Sequence, residues 1–394
     1  MNLSTRARSV SASPTLAIDQ EAKALMAEGE DVVNFGIGEP DFATPDFIAG
    51  AAIAAVRGGM TKYTAAEGTP DIRTAIADYL YRTEKLRYEP SEVMATAGAK
   101  QAIYNALLAL VNRGDGVMIP SPYWVSYPEQ VQLAGGVPVI VQTRPDAAYH
   151  LTAEDLERAY RPEVKGLIVN SPNNPTGAIV RPEDAPAIAE FCERHDLFVI
   201  ADEIYHRLTY GSEASSLAGL DGMRERTVVV NGVSKSYAMT GWRIGFAAGP
   251  GPVVAAMGRI QGQTTSNPAS VSQAAATAAL NGDDRAVEAM RQRFQGRRGL
   301  MLEGLARIPG FHPVPPEGAF YILVETGPLA GSFEGKPLRD GDVLARYLLH
   351  TCRVAVVPGS GFGVPVAVRL SFAQSEERIR EGLSRMMAVL QQSA

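Results

Sequence analysis

Thr227-Val-Val-Val-Asn-Gly-Val-Ser-Lys-Ser-Tyr-Ala-Met-Thr-Gly-Trp-Arg243 is a short β-branched run that empties into a polar loop. The run Thr227–Asn231 reads as a buried strand, because β-branched side chains pack well on a pleated, covered surface. The same pattern recurs along the chain. Further strands are expected at Glu92–Thr96, Gly116–Ile119, Val137–Gln142, Gly166–Asn170, Leu197–Ala201 and Gly245–Ala248. Helical periodicity lies between several of them, for example over Lys100–Val111 and Ala185–Arg194. Strand–helix alternation predicts an α/β fold: a mostly parallel seven-stranded sheet with helices on both faces.

The last hundred residues read differently. A long charged helix over Arg285–Arg307 is followed by Gly318–Val324, Gly341–His350, Val354–Val357, Val366–Ser371 and a final helix over Ser375–Gln391. This mixture predicts a smaller α+β domain. The expected division is an N-terminal arm over 1–45 that packs on the small domain, a large domain over 46–285 and the small domain over 286–394. With 394 residues and 46% apolar composition the chain has ample material for such a core.

A net charge of −6 argues against nucleic acid or an anionic membrane as partner. The basic cluster Arg291, Arg293, Arg297 and Arg298 has helical spacing and reads as a solvated helix face. Two lone cysteines, Cys192 and Cys352, suit a reducing cytoplasmic setting. Met1–Ile18 has no apolar signal core, no apolar run reaches a membrane span, and the five histidines make no metal spacing. Gly36-Ile-Gly38 and Gly359-Ser-Gly-Phe-Gly363 lack the strand–turn–helix setting of a dinucleotide fingerprint.

In open α/β sheets, ligands sit beyond the carboxyl ends of the strands. The polar residues of this chain collect at those ends. Lys235, at the mouth of an apolar strand, is placed for desolvation, which makes a lysine a nucleophile toward aldehydes. Arg243 can clamp a phosphate with its planar fork. An amine for an aldehyde and a cation for a phosphate are the two needs of pyridoxal 5′-phosphate (PLP). Gly98 and Ala99 open a helix whose free N–H groups suit the same phosphate, or form an ordinary strand–helix turn. Asp202 ends the apolar Leu197–Ala201 run; it caps a helix or pairs with a protonated pyridine nitrogen. Tyr205 reaches the same ring or is a core aromatic with a satisfied tip. Asn174 sits in the stiff loop Ser171-Pro-Asn-Asn-Pro-Thr-Gly177, and Trp124 stacks on a planar ring or fills core. Arg369, in the alternating strand Val366–Ser371, needs an anion, either an internal carboxylate or that of a substrate.

Together these segments resemble the class I (fold type I) PLP-dependent aminotransferases. The matching stretches are Gly38-Glu-Pro-Asp-Phe42, Thr61-Lys-Tyr-Thr64, Ser121-Pro-Tyr-Trp-Val-Ser-Tyr-Pro-Glu129, Ser171–Gly177, Asp202-Glu-Ile-Tyr205, Ser234–Gly245, Gly318-Ala-Phe-Tyr321 and Arg369-Leu-Ser371, in the family's order. The resemblance implies that Lys235 binds PLP covalently and then moves the proton between Cα and C4′. It implies Asp202 on the pyridine nitrogen, Tyr205 and Asn174 on the ring oxygen, and Trp124 against the ring. Arg243, Ser234 and the amides of Gly98 and Ala99 would hold the phosphate. Tyr63 would reach the phosphate of a neighbouring subunit in a homodimer. Arg369 and the Gly38 amide would take the substrate α-carboxylate.

Within the family the chain is similar to the bacterial and plastid aspartate (and prephenate) aminotransferases. That likeness implies a distal-carboxylate receptor made of Lys100, Ser13 and Thr15, with aspartate and glutamate as substrates, prephenate among the oxo acids, and a ping-pong mechanism. Two other readings stand beside it: a different PLP reaction on the same fold (lyase, decarboxylase, cyclase or oxidase), or an aminotransferase for neutral or aromatic amino acids. A PLP-binding regulator would need a DNA-binding segment that the sequence lacks.

Overall fold

The computed structural model describes residues 1–10, 14–212, 214–327, 329 and 331–391, and of 14–16 the backbone only. Its largest sheet has seven strands: β1 Val93–Thr96, β2 Gly116–Ser121, β3 Val137–Gln142, β4 Val164–Asn170, β5 Phe198–Asp202, β6 Thr227–Gly232 and β7 Gly245–Ala248. Their order across the sheet is β1-β7-β6-β5-β4-β2-β3. The pairings are parallel except those of β7, which runs antiparallel to both β1 and β6. Every expected strand is present, with ends shifted by a few residues at most. β2 runs on to Ser121 because Pro120 and Ser121 pair with Val141 and Gln142.

The apolar runs are continuous because both faces of the sheet are covered. Ile200, Val228 and Val230 pack on one face with Ile103 and Met257. On the other, Val199 and Ala201 join Phe191 and Leu197 in one cluster, and Val229 joins Ile76 and Phe246 in another. Each fully buried aliphatic of this kind contributes about 1.5–3 kcal/mol.

A second sheet contains β8 Phe311–Pro313, β9 Tyr321–Thr326, β10 Val357–Pro358 and β11 Ala367–Ser371, in the antiparallel order β10-β11-β9-β8. β9 starts three residues later than the sequence suggests. Gly318 is spent on a bridge to Thr209, and Ala319 takes a left-handed conformation with φ 60°. The helices Arg285–Leu305, Gly341–Cys352 and Glu376–Leu390 pack around this sheet.

The arm joins it through a strand of two residues. Val33 and Asn34 pair in parallel with Val354 and Ala355, and the Phe35 carbonyl accepts from the Ser371 amide at 2.8 Å. Ahead of it, Ile18 and Ala22 of the helix Pro14–Ala27 pack with Val32, Leu349 and Phe362. The basic helix face departs from expectation: Arg291 and Arg298 are half-buried and donate to the Thr209 and Pro316 carbonyls. Arg297 is only 8% exposed and holds Asp41 with two hydrogen bonds of 2.7 and 2.9 Å. Among the described residues no helix is long and apolar enough to cross a membrane.

Candidate active site

The carboxyl ends of β1, β4, β5 and β6 open into one cavity of about 540 Å³. Arm and small-sheet residues, among them Asn34, Gly38, Tyr321 and Arg369, close its other side.

Lys235 sits just past β6, and its Nζ donates to the Gly38 carbonyl at 2.6 Å. Burial lowers its amine to about 8, against the opposing pull of Glu39. Such an amine holds a usable fraction of free base near neutral pH. Asp202, the last residue of β5, is buried. Its carboxylate is held from both sides by the protein. One oxygen accepts from the Ile204 amide at 3.2 Å, as in a turn cap, and the other from the Tyr127 hydroxyl at 2.6 Å. Burial pushes its carboxyl up to about 6, with the Tyr127 hydrogen bond working in the opposite direction. The register of β4 on β5 sets Asn170 beside Asp202. Asn170 then ties two segments together, donating to the Asp202 carbonyl at 2.9 Å and accepting from the Asn174 amide at 2.8 Å.

Arg369 lies on β11, is 3% exposed, and faces the cavity. Its guanidinium donates to Asn174 Oδ1 at 3.0 Å and to the Gly36 carbonyl at 2.9 Å. It lies 4.3 Å from the centre of the Tyr321 ring and 5.2 Å from that of Phe362. Its Nε has no partner, and among the described residues no carboxylate forms an ion pair with it. The internal-salt-bridge alternative therefore fails, and what remains is a buried cation held by neutral acceptors. Tyr205 meets Tyr321 through their hydroxyls at 3.1 Å.

Arg243 takes a left-handed conformation, φ 56°, and its Nη1 donates to the Thr240 carbonyl at 2.9 Å. Gly98 contributes in a way the sequence did not suggest. Its amide donates to the Thr96 carbonyl at 2.8 Å and is not free for a ligand. Its value is steric: with φ 88°, a Cβ there would collide with the Arg243 guanidinium. Ala99 is left at the helix N-terminus, beside Ser234 and Arg243 on the cavity wall. Lys100 follows, its Nζ 4.7 Å from the centre of the Trp124 ring, and burial lowers its amine. Trp124 also meets Tyr127 edge-on at 5.4 Å.

The cavity thus gathers Lys235, Asp202, Tyr205, Asn174, Ala99, Lys100, Trp124, Ser234, Arg243, Gly38 and Arg369. Tyr63 is not among its lining residues and is 90% exposed. Ser13 and the Thr15 side chain lie outside the described residues. Sequence reasoning missed Tyr127, Asn170, Asn34 and Asp19, which also line the cavity. Tyr127 stands within the quoted Ser121–Glu129 stretch; the others carry no signal beyond a polar residue beside an apolar run.

This assembly on this fold is that of an aminotransferase: residues 30–386 match the family model for aminotransferase class I and II, and the chain belongs to that family. Its relatives narrow the comparison. It is 46% identical to an aspartate aminotransferase of Geobacillus stearothermophilus, over 98% of each chain. It is 43% identical to a probable aspartate/prephenate aminotransferase of Aquifex aeolicus, over 99% of each. Among solved structures, aspartate aminotransferase from Thermus thermophilus with maleate superposes with a TM-score of 0.94 at 42% identity, over 99% of this chain and 100% of that one. The aspartate aminotransferase from Rhizobium meliloti superposes at 0.96 with 40% identity and full coverage of both. The fold is therefore fold type I, and the chain is an aspartate aminotransferase-like enzyme that catalyses transamination.

Proposed function

We propose that the chain uses PLP to move the amino group of aspartate or glutamate to a 2-oxo acid in a ping-pong cycle, with prephenate among the acceptors. The observation that carries this reading is the opposition, across one cavity, of Lys235 and Asp202 to an unpaired buried Arg369. The residues present fit PLP. Asp202 is a buried carboxylate suited to a pyridinium, Tyr205 and Asn174 offer polar tips to the ring, and Trp124 offers a flat face. The missing Cβ at Gly98 leaves Arg243 its place beside Ser234 and the Ala99 amide, a cradle for a phosphate. When bound, PLP supplies the electron sink that makes the substrate Cα proton removable. Lys235, its amine already lowered, takes that proton. Arg369 and the Gly38 amide hold the α-carboxylate and so fix which Cα bond is presented. Lys100, with Ser13 and Thr15, receives the distal carboxylate.

The proposal includes a homodimer, a two-domain division near residues 45 and 285, and a cytoplasmic enzyme. Support for the dimer is the exposure of Ile53 and Val56, close together on the helix Asp46–Arg57, and of Tyr63.

The test is one half-reaction. L-aspartate or L-glutamate, added to the purified PLP-loaded protein without oxo acid, is expected to yield one equivalent each of pyridoxamine phosphate and the matching oxo acid. Released ammonia or carbon dioxide would move the chain to another PLP reaction. A second expectation concerns Lys100→Ala. It should cost aspartate roughly 10- to 100-fold in kcat/KM, the worth of one charge-assisted hydrogen bond, and leave alanine within about threefold. Equal losses in steady-state kinetics would remove Lys100 from the receptor.

Asp202 gives a third expectation. Its folded carboxyl, at about 6, lies above the ordinary 3.8, so its stabilising contribution is full below pH 4 and is lost as pH rises through 6. In the PLP-free protein Asp202→Asn removes that loss. The variant should exceed wild type by up to roughly 3 kcal/mol at pH 8, converging on it toward pH 4. Urea unfolding across this range decides; parallel pH profiles would mean that Asp202 is not strained.

A further inference from the structure

A chain of polar contacts leads from Arg369 out to the arm helix Pro14–Ala27. The Gly36 carbonyl accepts from Arg369 at 2.9 Å. The Gly36 amide donates to Asn34 Oδ1 at 2.9 Å, and Asn34 Nδ2 donates to Asp19 Oδ1 at 3.1 Å. The second Asp19 oxygen pairs with Lys23, one turn along the same helix, at 2.7 Å. Asn34 is buried, and Gln374 fixes its backbone by donating to its carbonyl at 3.1 Å. Both polar atoms of the Asn34 side chain are therefore committed, the oxygen to Gly36 and the nitrogen to the helix. A Cβ at Gly36 would sit 3.0 Å from that oxygen, a tight approach that would press on the hydrogen bond between the Gly36 amide and Asn34.

Another contact of this helix with the body of the protein, Glu21 with His350 at 2.9 Å, is half-exposed and so weakened by solvent. Ile18 and Ala22 give it a greasy footing but no direction, since apolar contact is tolerant of rotation. Asp19 stands between that footing and the cavity, which the helix lines with Asp19, Lys23 and Met26. A directional hydrogen bond there sets how the helix meets the cavity.

We propose that Asn34 and Asp19 are positioning residues that latch the arm helix to the α-carboxylate site and so set the preference for substrates with two carboxylates. This inference rests on the reading that Arg369 takes the α-carboxylate and that the arm takes part in receiving the distal one. A substrate with a single carboxylate engages Arg369 alone and is indifferent to the helix. A substrate with two needs both ends of the latch in register.

The test is a charge exchange in the PLP-loaded enzyme. Asn34→Asp keeps an acceptor for the Gly36 amide but sets a second carboxylate against Asp19. The Asp19→Asn/Asn34→Asp double variant restores a donor–acceptor pair with the wild-type net charge. Asn34→Asp is expected to raise KM for aspartate about tenfold or more while leaving KM for alanine within about twofold, and the double variant to return aspartate to within about threefold of wild type. Equal losses for both substrates, or no return in the double variant, would overturn the latch.

Hydrogen exchange of the amides over 17–27 gives a readout free of turnover. Succinate, an unreactive dicarboxylate, should slow exchange there in wild type and the double variant but not in Asn34→Asp. Exchange that is the same in all three would overturn the latch. Wild type that fails to transaminate aspartate would instead overturn the substrate reading, and the exchange rates without succinate, fast only in Asn34→Asp, would still decide the latch.

Discussion

Lys235→Ala is expected to keep the fold and lose multiple turnover by roughly 10,000-fold or more, as when a nucleophile that doubles as acid–base is removed. The surroundings offer no substitute. Lys100 is placed over Trp124, and Lys23 is committed to Asp19. Lys235 alone is aimed by the Gly38 carbonyl, and its burial lowers the amine to about 8. Removing a desolvated cation also removes its burial cost, so the thermal midpoint should hold or rise. Steady-state assays with and without a small primary amine test the expectation: partial return of activity with the amine supports it. Multiple turnover in the variant without added amine would show that another group carries the proton.

Arg369→Met should separate function from stability in opposite directions. The guanidinium is buried between two rings and two neutral acceptors, with its Nε unpartnered. Removing one member of a buried charge pair costs about 2–5 kcal/mol of binding, so kcat/KM should fall by roughly 30- to 5,000-fold. The loss should be alike for aspartate and alanine, because each carries the same α-carboxylate; Lys100→Ala, by contrast, should divide them. Replacing an uncompensated buried charge by an apolar chain of similar volume is often stabilising, by about 1–4 kcal/mol, so the substrate-free variant should melt higher. A variant that lost stability along with activity would show Arg369 to be a structural cation.

The large sheet was readable because its strands are β-branched runs buried on both faces, and Val137–Gln142 and Gly245–Ala248 match residue for residue. Val33–Asn34 was not readable: two residues carry no period, and their pairing with Val354–Ala355 is a long-range matter. Lys235, Asp202 and Asn174 were legible because each stands at or just past the carboxyl end of a strand. Tyr127 lies on a helix, and its hydrogen bond to Asp202 depends on helix placement. Arg297 looked solvent-bound by spacing alone, since its partner Asp41 is 256 positions away. Another buried cluster was equally hidden. Glu203, next to Asp202, lies with Glu84 and His206 inside the protein; burial raises both carboxyls and lowers the imidazole to about 4. Neither sequence distance nor residue type foretells that meeting.

The reversed direction of β7 has a mechanical consequence. Because β6 and β7 are antiparallel neighbours, the segment between them is a hairpin, and Lys235 and Arg243 are both borne on it. The spacing between amine and guanidinium is then an internal property of one folded-back ribbon. The hairpin is held from beneath by Gly245, where a side chain would strike the Ala99 amide. Arg369, Asn34 and Asp19 stand on a different sheet and on the arm. A change in the small sheet or the arm can therefore shift Arg369, Asn34 and Asp19 without altering the distance between Lys235 and Arg243, which the ribbon sets by itself.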